Sequence, residues 1–340
     1  MPRMDQAPPS QSLIKQLLIG DGRIGKTHYA AEAAKHFNVL YINGDANTVA
    51  TLRKQPVEVL RNIYAINVGD TVMGGLRDSK FIDFMQEFTT NIKVRWNDTE
   101  ERVANRADTG EIWEITPSRM DHTCLLVLDS WTALVDSIML QAARANNVIL
   151  ETASTHDMRP VYQSAGLKAT SILQCIKALR CHVLVLAHPD EYEHKTAPEG
   201  RAVKDIKEKD LIVDWTKMIP KSTSKPHGMQ IGRFFTDVGW MELSPAGTER
   251  RINFKAKNDR IAGGHFAECK STTEYSFANL VTEVGGDVMA KPAPIDSWFN
   301  LIPALAPGET PVEAAPKVLD GIKPTGIAGL TGLGKKAAAA

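Results

Sequence analysis

Eight consecutive residues constrain this chain more than any others: Gly20, Asp21, Gly22, Arg23, Ile24, Gly25, Lys26 and Thr27 fit the pattern G-x-x-x-x-G-K-[ST] in full. They follow the apolar run Leu17, Leu18, Ile19 and precede a stretch, 27–37, in which Tyr29, Ala30, Ala33, Ala34 and Phe37 recur at helical spacing. A strand, a glycine-rich turn and a helix in that order make a cradle for a phosphate chain. Glycines let the main chain wrap closely, and the amides that open the helix point at the anion. The spacing predicts that Lys26 reaches the β- and γ-phosphates of a nucleoside triphosphate and that Thr27 offers its hydroxyl to Mg²⁺, with His28 carrying the binding segment into the helix.

Such a loop needs an acidic partner for the metal. Asp129 ends the most apolar run of the chain, Cys124, Leu125, Leu126, Val127, Leu128, and ligands of α/β proteins bind at the carboxyl ends of strands. The alternative is an N-cap of the helix beginning near Trp131. Asp45, closing the run Val39, Leu40, Tyr41, Ile42, is the first choice to orient an attacking water, on the expectation that its strand lies beside that of the phosphate loop. Glu58 stands in reserve, and a plain turn role for Asp45 within Asn43, Gly44, Asp45, Ala46, Asn47 stays open. His188, after Val183, Leu184, Val185, Leu186 and Ala187, is placed to sense the γ-phosphate or the water; a hydrogen-bonded structural histidine is its alternative.

Continuously apolar strands alternating with helical stretches at 81–88 and 170–179 predict a three-layer α/β domain with a mostly parallel central sheet. Residues 1–12 read as a flexible arm and 13–284 as the domain. The polar stretch 95–122 reads as an insertion with a small hairpin near 111–115, and 285–340, rich in Pro, Ala and Gly, as a disordered tail. Trp298 and Phe299 are the sticky spot of that tail, docking either on their own domain or on a partner. Residues 230–243 and 251–255 carry β-like patterning.

The 40 basic and 40 acidic side chains cancel, so a nucleic-acid partner must be met by local patches rather than by a net field. Cys124, Cys175, Cys181 and Cys269 form no C-x-x-C pair, which argues against a disulfide or zinc framework and for a reducing compartment, the cytoplasm. No stretch of about 18 apolar residues suggests a membrane span.

Taken with Tyr41 to Asp45, Leu126 to Leu134, Leu186 to His188 and Phe254 to Arg260 in that order, the phosphate loop resembles the RecA-like ATPases, and among them the short phage-encoded members used in recombination and single-strand annealing. The resemblance covers roughly 13–265 and implies ATP and Mg²⁺ at a subunit interface of a ring or filament that acts on single-stranded DNA. In similar proteins a glutamate stands where this chain has Asp45. The resemblance also implies a cation donated by the neighbouring subunit, matched here by Lys255, Lys257 and Arg260, the two lysines on one face of a strand; alternating lysines that guard a sheet edge are the alternative. DNA contacts in the family come from two loops. Here they would be 154–168, with His156, Arg159, Tyr162 and Lys168, and 191–209, with Lys195, Arg201, Lys204, Lys207 and Lys209, unless the second is a solvated mixed-charge helix. The expected activity is ATP-driven DNA annealing or strand exchange. The alternatives are a replication helicase or helicase-loader ATPase and a nucleotide-cemented structural assembly. The tail offers a further protein-partner site.

Overall fold

A computed structural model of the chain describes residues 12–45, 48–70, 72–73, 76–91, 93–96, 112–148, 150, 157–196, 212–257, 259–266, 268–289, 292 and 298–302, all within the unit Met1–Ala304. The elements, in order, are β1 (Lys15–Ile19), α1 (Lys26–Glu32) with a 3₁₀ turn at Ala33–Lys35, β2 (Asn38–Asn43), α2 (Thr48–Leu52), α3 (Val57–Leu60), β3 (Ile63–Asn67), β4 (Val72–Met73), β5 (Leu76–Arg77), α4 (Lys80–Thr90), β6 (Val94–Trp96) and β7 (Ile112–Ile115). They continue with β8 (Cys124–Asp129), α5 (Trp131–Ala145), α6 (Arg159–Ala178), β9 (His182–Ala187), β10 (Pro189–Thr196), β11 (Ile212–Pro220), α7 (Lys225–Gln230), β12 (Asp237–Leu243), β13 (Arg250–Asn253), β14 (Cys269–Ser271), α8 (Phe277–Glu283) and β15 (Phe299–Ile302).

An eight-stranded sheet in the order β14-β13-β12-β1-β9-β8-β2-β3 carries the molecule. From β12 to β3 every neighbouring pair is parallel, and β13 and β14 add an antiparallel edge. Because side chains alternate across a strand, each apolar run serves two layers. Leu17, Ile19, Leu126, Leu128, Val183 and Val185 join the core under α4, α5 and α6. Leu18, Leu125, Val127, Leu184 and Leu186 join that under α1, α3 and α8. Two-sided burial is why these strands read as unbroken hydrophobic runs. This three-layer α/β architecture is that of a P-loop NTPase, as the sequence pattern predicts.

Several local expectations change. The strand leading to Asp45, β2, lies between β8 and β3, separated from β1 by β9 and β8, so it is not beside the strand of the phosphate loop. Periodicity reveals that strands exist but not their lateral order, which the long crossovers decide. The helix read at 170–179 begins at Arg159. Residues 230–234, the start of the stretch with β-like patterning, are helical, ending α7 and continuing it as a 3₁₀ turn; Ser224 caps α7 by accepting from the His227 N–H. Within the insertion, β6 and β7 pair antiparallel, and β15 adds to β7 on its other side. That strand comes from the segment read as tail. Trp298 and Phe299 are buried against Tyr64, with ring centroids 6.0 and 4.8 Å away, so they dock on their own domain and its boundary moves beyond 284. Residues 97–111 and 303–340 lie outside the described residues. Among those described, no helix is long and apolar enough to cross a membrane.

Candidate nucleotide site

The parallel strands end together, and their last residues meet. The loop after β1 bends through Arg23 at φ 64° and Gly25 at φ 106°, left-handed values that glycine adopts without strain. A Cβ on Gly20 would lie 2.9 Å from the Met241 carbonyl oxygen of β12, so the loop needs glycine there for close approach. Lys26 is buried and folds back over the loop, donating from Nζ to the carbonyls of Gly20 (2.5 Å) and Asp21 (2.8 Å). Burial lowers its pKa to about 8, against the pull of Asp129, Asp21 and Asp45, which act to raise it.

Asp129 stands at the end of β8, 5% exposed. Ser130, not Asp129, caps α5, accepting from the Ala133 N–H at 3.2 Å. The Asp129 carboxylate is therefore turned to the loop. Its Oδ2 accepts from the hydroxyls of Thr27 (3.0 Å), Tyr41 (2.6 Å) and Thr48 (3.0 Å). Burial and the charge of Asp129 raise the Tyr41 pKa well above its usual value, which keeps that hydroxyl a donor. Sequence reading missed Tyr41 and Thr48 as supports of this carboxylate. A hydroxyl-bearing residue in an otherwise aliphatic buried strand was the available signal for Tyr41, because a buried hydroxyl must find a partner.

Asp45 keeps both of its readings. Its carbonyl closes a turn by accepting from the Thr48 N–H, and its own N–H donates to Asn43 Oδ1. Its carboxylate acts electrostatically on Lys26, Tyr41 and His188, so it belongs to the same polar cluster. Glu58 is exposed on α3 and is not among the charges acting on Lys26 or His188. His188 follows β9, which the sheet inserts between β1 and β8. A Cβ on Gly22 would lie 4.0 Å from its Cε1, and its N–H donates to Thr132 Oγ1 of α5. Burial lowers its pKa, Lys26 adds to that, and Asp129, Asp45 and Asp21 oppose it.

These residues fit a magnesium-bound nucleoside triphosphate. Thr27 and Asp129 already converge as two oxygen donors, the ligand type Mg²⁺ prefers. Among the described residues, no acceptor takes the N–H groups of Gly25, Lys26, Thr27 or His28, leaving a row of amides beside the lysine. His28 also meets Gln55 at 2.7 Å through Nδ1. Ile24 packs on the core beneath α1.

The remaining candidates fare differently. Arg260 is tied within its own chain, donating to Glu242 Oε2 at 2.8 Å and lying over the Trp240 ring. Burial acts to raise the Glu242 pKa, but Arg260, Asn253 and Lys257 outweigh it and hold it below the ordinary value. Lys255 and Lys257 are exposed and follow β13 instead of lying on it, so the expected one-face pairing on a strand does not occur. Arg159, Tyr162 and Lys168 lie on α6, not on a loop. There Arg159 pairs with Asp157 at 2.8 Å and Lys168 donates to Gln141 at 2.5 Å; Tyr162 is exposed. His156, Arg201, Lys204, Lys207 and Lys209 lie outside the described residues. Lys195 lies on β10 beside Glu193 at 3.3 Å. The flanks of its segment, β10 and β11, form an antiparallel hairpin and not a mixed-charge helix.

A search among curated proteins finds no match for the chain. The AAA domain family matches it over residues 13–263, a span that holds the phosphate loop, Asp45, Asp129 and His188 together. With loop, carboxylate and sheet in this arrangement, the chain belongs to the AAA domain family and is a nucleotide-binding P-loop ATPase.

Proposed function

We propose that the protein is an ATP-driven DNA-recombination protein of the phage type, which binds single-stranded DNA as an oligomer and promotes annealing or strand exchange. The observation that carries this reading is the hairpin of β10 and β11, which begins at Pro189, one residue after His188. One of its faces holds Tyr192, His194 and Trp215: the His194 and Trp215 rings stack at 4.9 Å and 2°, and Tyr192 meets Trp215 edge-on at 5.4 Å. Lys217 stands opposite Tyr192 in the ladder. Trp215 remains 39% exposed, and exposed aromatics flanked by a cation suit stacking on unpaired bases. Sequence reading singled out the cations of this segment and missed its aromatic face, whose rings come together only when β10 pairs with β11.

In this reading Lys26 and the loop amides neutralise the phosphates, and Thr27 and Asp129 hold the magnesium. Magnesium held by Thr27 and Asp129 would supply positive charge to offset that of the phosphates. Asp45 orients the water, its short side chain favouring slow turnover. His188 links the terminal phosphate to the hairpin through the chain itself. Lys255 and Lys257, exposed just after β13, are the cations offered to a neighbouring subunit.

Fluorescence anisotropy with a labelled oligonucleotide tests the reading. The protein binds single-stranded DNA at low salt, its ATPase responds to the DNA, and Trp215→Ala weakens binding by about 1–3 kcal/mol. A protein that neither binds the oligonucleotide nor changes its turnover in its presence would overturn the proposal.

A further inference from the structure

Arg250 opens β13, paired with Leu243 at the end of β12, and the turn between these strands brings it to the nucleotide end of the sheet. Its side chain lies against the phosphate loop. A Cβ added to Gly25 would fall 2.6 Å from Nε, 2.9 Å from Cδ and 3.0 Å from Cζ of Arg250. Gly25 is thus fixed as glycine twice, by its left-handed φ and by the arginine seated on it.

The neighbouring arginines are anchored by carboxylates: Arg251 pairs with Glu249 at 3.0 Å and Arg260 with Glu242 at 2.8 Å. Among the described residues no carboxylate or carbonyl pairs with the Arg250 guanidinium. It stands instead over the turn that carries Lys26 and beside the open amides that begin α1. The carboxylates of the site act on Lys26, whereas none pairs with the guanidinium, so its donors and the amides stay open to an entering phosphate. A guanidinium donates in a planar fork that matches phosphate oxygens.

We propose that Arg250 is a nucleotide-binding residue of the chain's own site, a guanidinium that takes a phosphate oxygen from the β13 side of the loop, across from Asp129. Asp129 and His188 border the loop from β8 and β9, on the other side of β1. Arg250 therefore serves the phosphates that di- and triphosphates share rather than the terminal one. The proposal rests on the phosphate loop being the nucleotide site.

Calorimetry with ATP and with ADP on the full chain tests it. Arg250→Ala raises Kd for both nucleotides by a similar factor, about 10- to 100-fold for a hydrogen bond between charged partners, and Arg250→Lys recovers part of the loss. The unliganded variant keeps its thermal midpoint, because the side chain is exposed. Lys26→Ala serves as the control. If it abolishes binding while Arg250→Ala leaves both affinities unchanged, or weakens ATP and spares ADP, the role of Arg250 is overturned and the loop stands. If Lys26→Ala also leaves binding unchanged, the loop assignment falls with it.

Discussion

Two lysines at opposite ends of β1 are alike in almost everything that a contact map shows. Lys15 and Lys26 are each 6% exposed. Each donates to two backbone carbonyls, Lys15 to Leu179 (2.7 Å) and Cys181 (2.5 Å), Lys26 to Gly20 and Asp21. Burial lowers both pKa values. The difference lies in what surrounds them. Three carboxylates act on Lys26, whereas the charge acting to raise the Lys15 pKa is the Cys181 thiol. Lys15 closes the amino-terminal end of the sheet, where its carbonyl partners sit in the tight turn between α6 and β9. Lys26 sits at the carboxyl ends of the strands, on a loop with open amides. A buried lysine with a shifted pKa therefore does not mark a functional site by itself; the open donors and facing carboxylates do.

Exchanging the two roles is the strongest way to break this contrast. Lys26→Ala should lower kcat/KM for ATP by about 10²- to 10³-fold, the usual loss for a preorganised donor. Lys15→Met should leave turnover intact and cost about 1–3 kcal/mol of stability through its two abandoned carbonyls. Phosphate-release kinetics and urea unfolding on the same two proteins decide it; an ATPase defect in Lys15→Met would dissolve the distinction. At the nucleotide end, Tyr41→Phe removes one of three donors to Asp129 and should cost about 1.5–3 kcal/mol in thermal unfolding.

Two pH profiles sharpen the comparison further. Phosphate binding needs Lys26 charged, and its pKa is lowered to about 8, so kcat/KM in the free enzyme should fall about tenfold per pH unit above that point. Lys15→Met should leave this limb unmoved. At the other end His182, whose Nδ1 accepts from the Ile14 N–H at 3.1 Å, is buried among Phe37 and Phe277. Burial, helped by the charges of Lys15 and His122, lowers its pKa to about 3. Its folded value is below the unfolded one near 6.5. The stability it contributes is therefore complete above 6.5 and lost as pH falls toward 3, by at most about 1.4 kcal/mol per unit. Urea midpoints between pH 7 and 5 check this, with His182→Gln as the variant whose acid slope should flatten.

Much of the site was legible because its chemistry is local. The phosphate loop is one continuous string, and Asp129 and His188 each end an apolar run whose burial on both faces is written in its composition. Support of Asp129 was not legible, since Tyr41 and Thr48 reach it from segments roughly 80 residues away. Nor was the difference between Arg250, Arg251 and Arg260. Three arginines within 11 positions look equivalent in sequence, yet one lies on the phosphate loop and two are held by carboxylates. Trp298 and Phe299 sit in a Pro- and Ala-rich stretch whose composition suggested no fold, and the exposed edge of β7 recruits them.

The sequence by itself determined that a phosphate-loop turn follows a buried strand, that parallel strands alternate with helices, and which acidic residue ends a buried strand beside that loop. These follow from periodicities and backbone requirements that act over a few residues. Tertiary structure alone decided the order of the strands, with β9 set between β1 and β8 and β2 beyond them, and so which side chains share the site. It also decided which cations are paired and which stand open. Strand order and charge pairing depend on distances between segments far apart in the chain, and no local pattern encodes those.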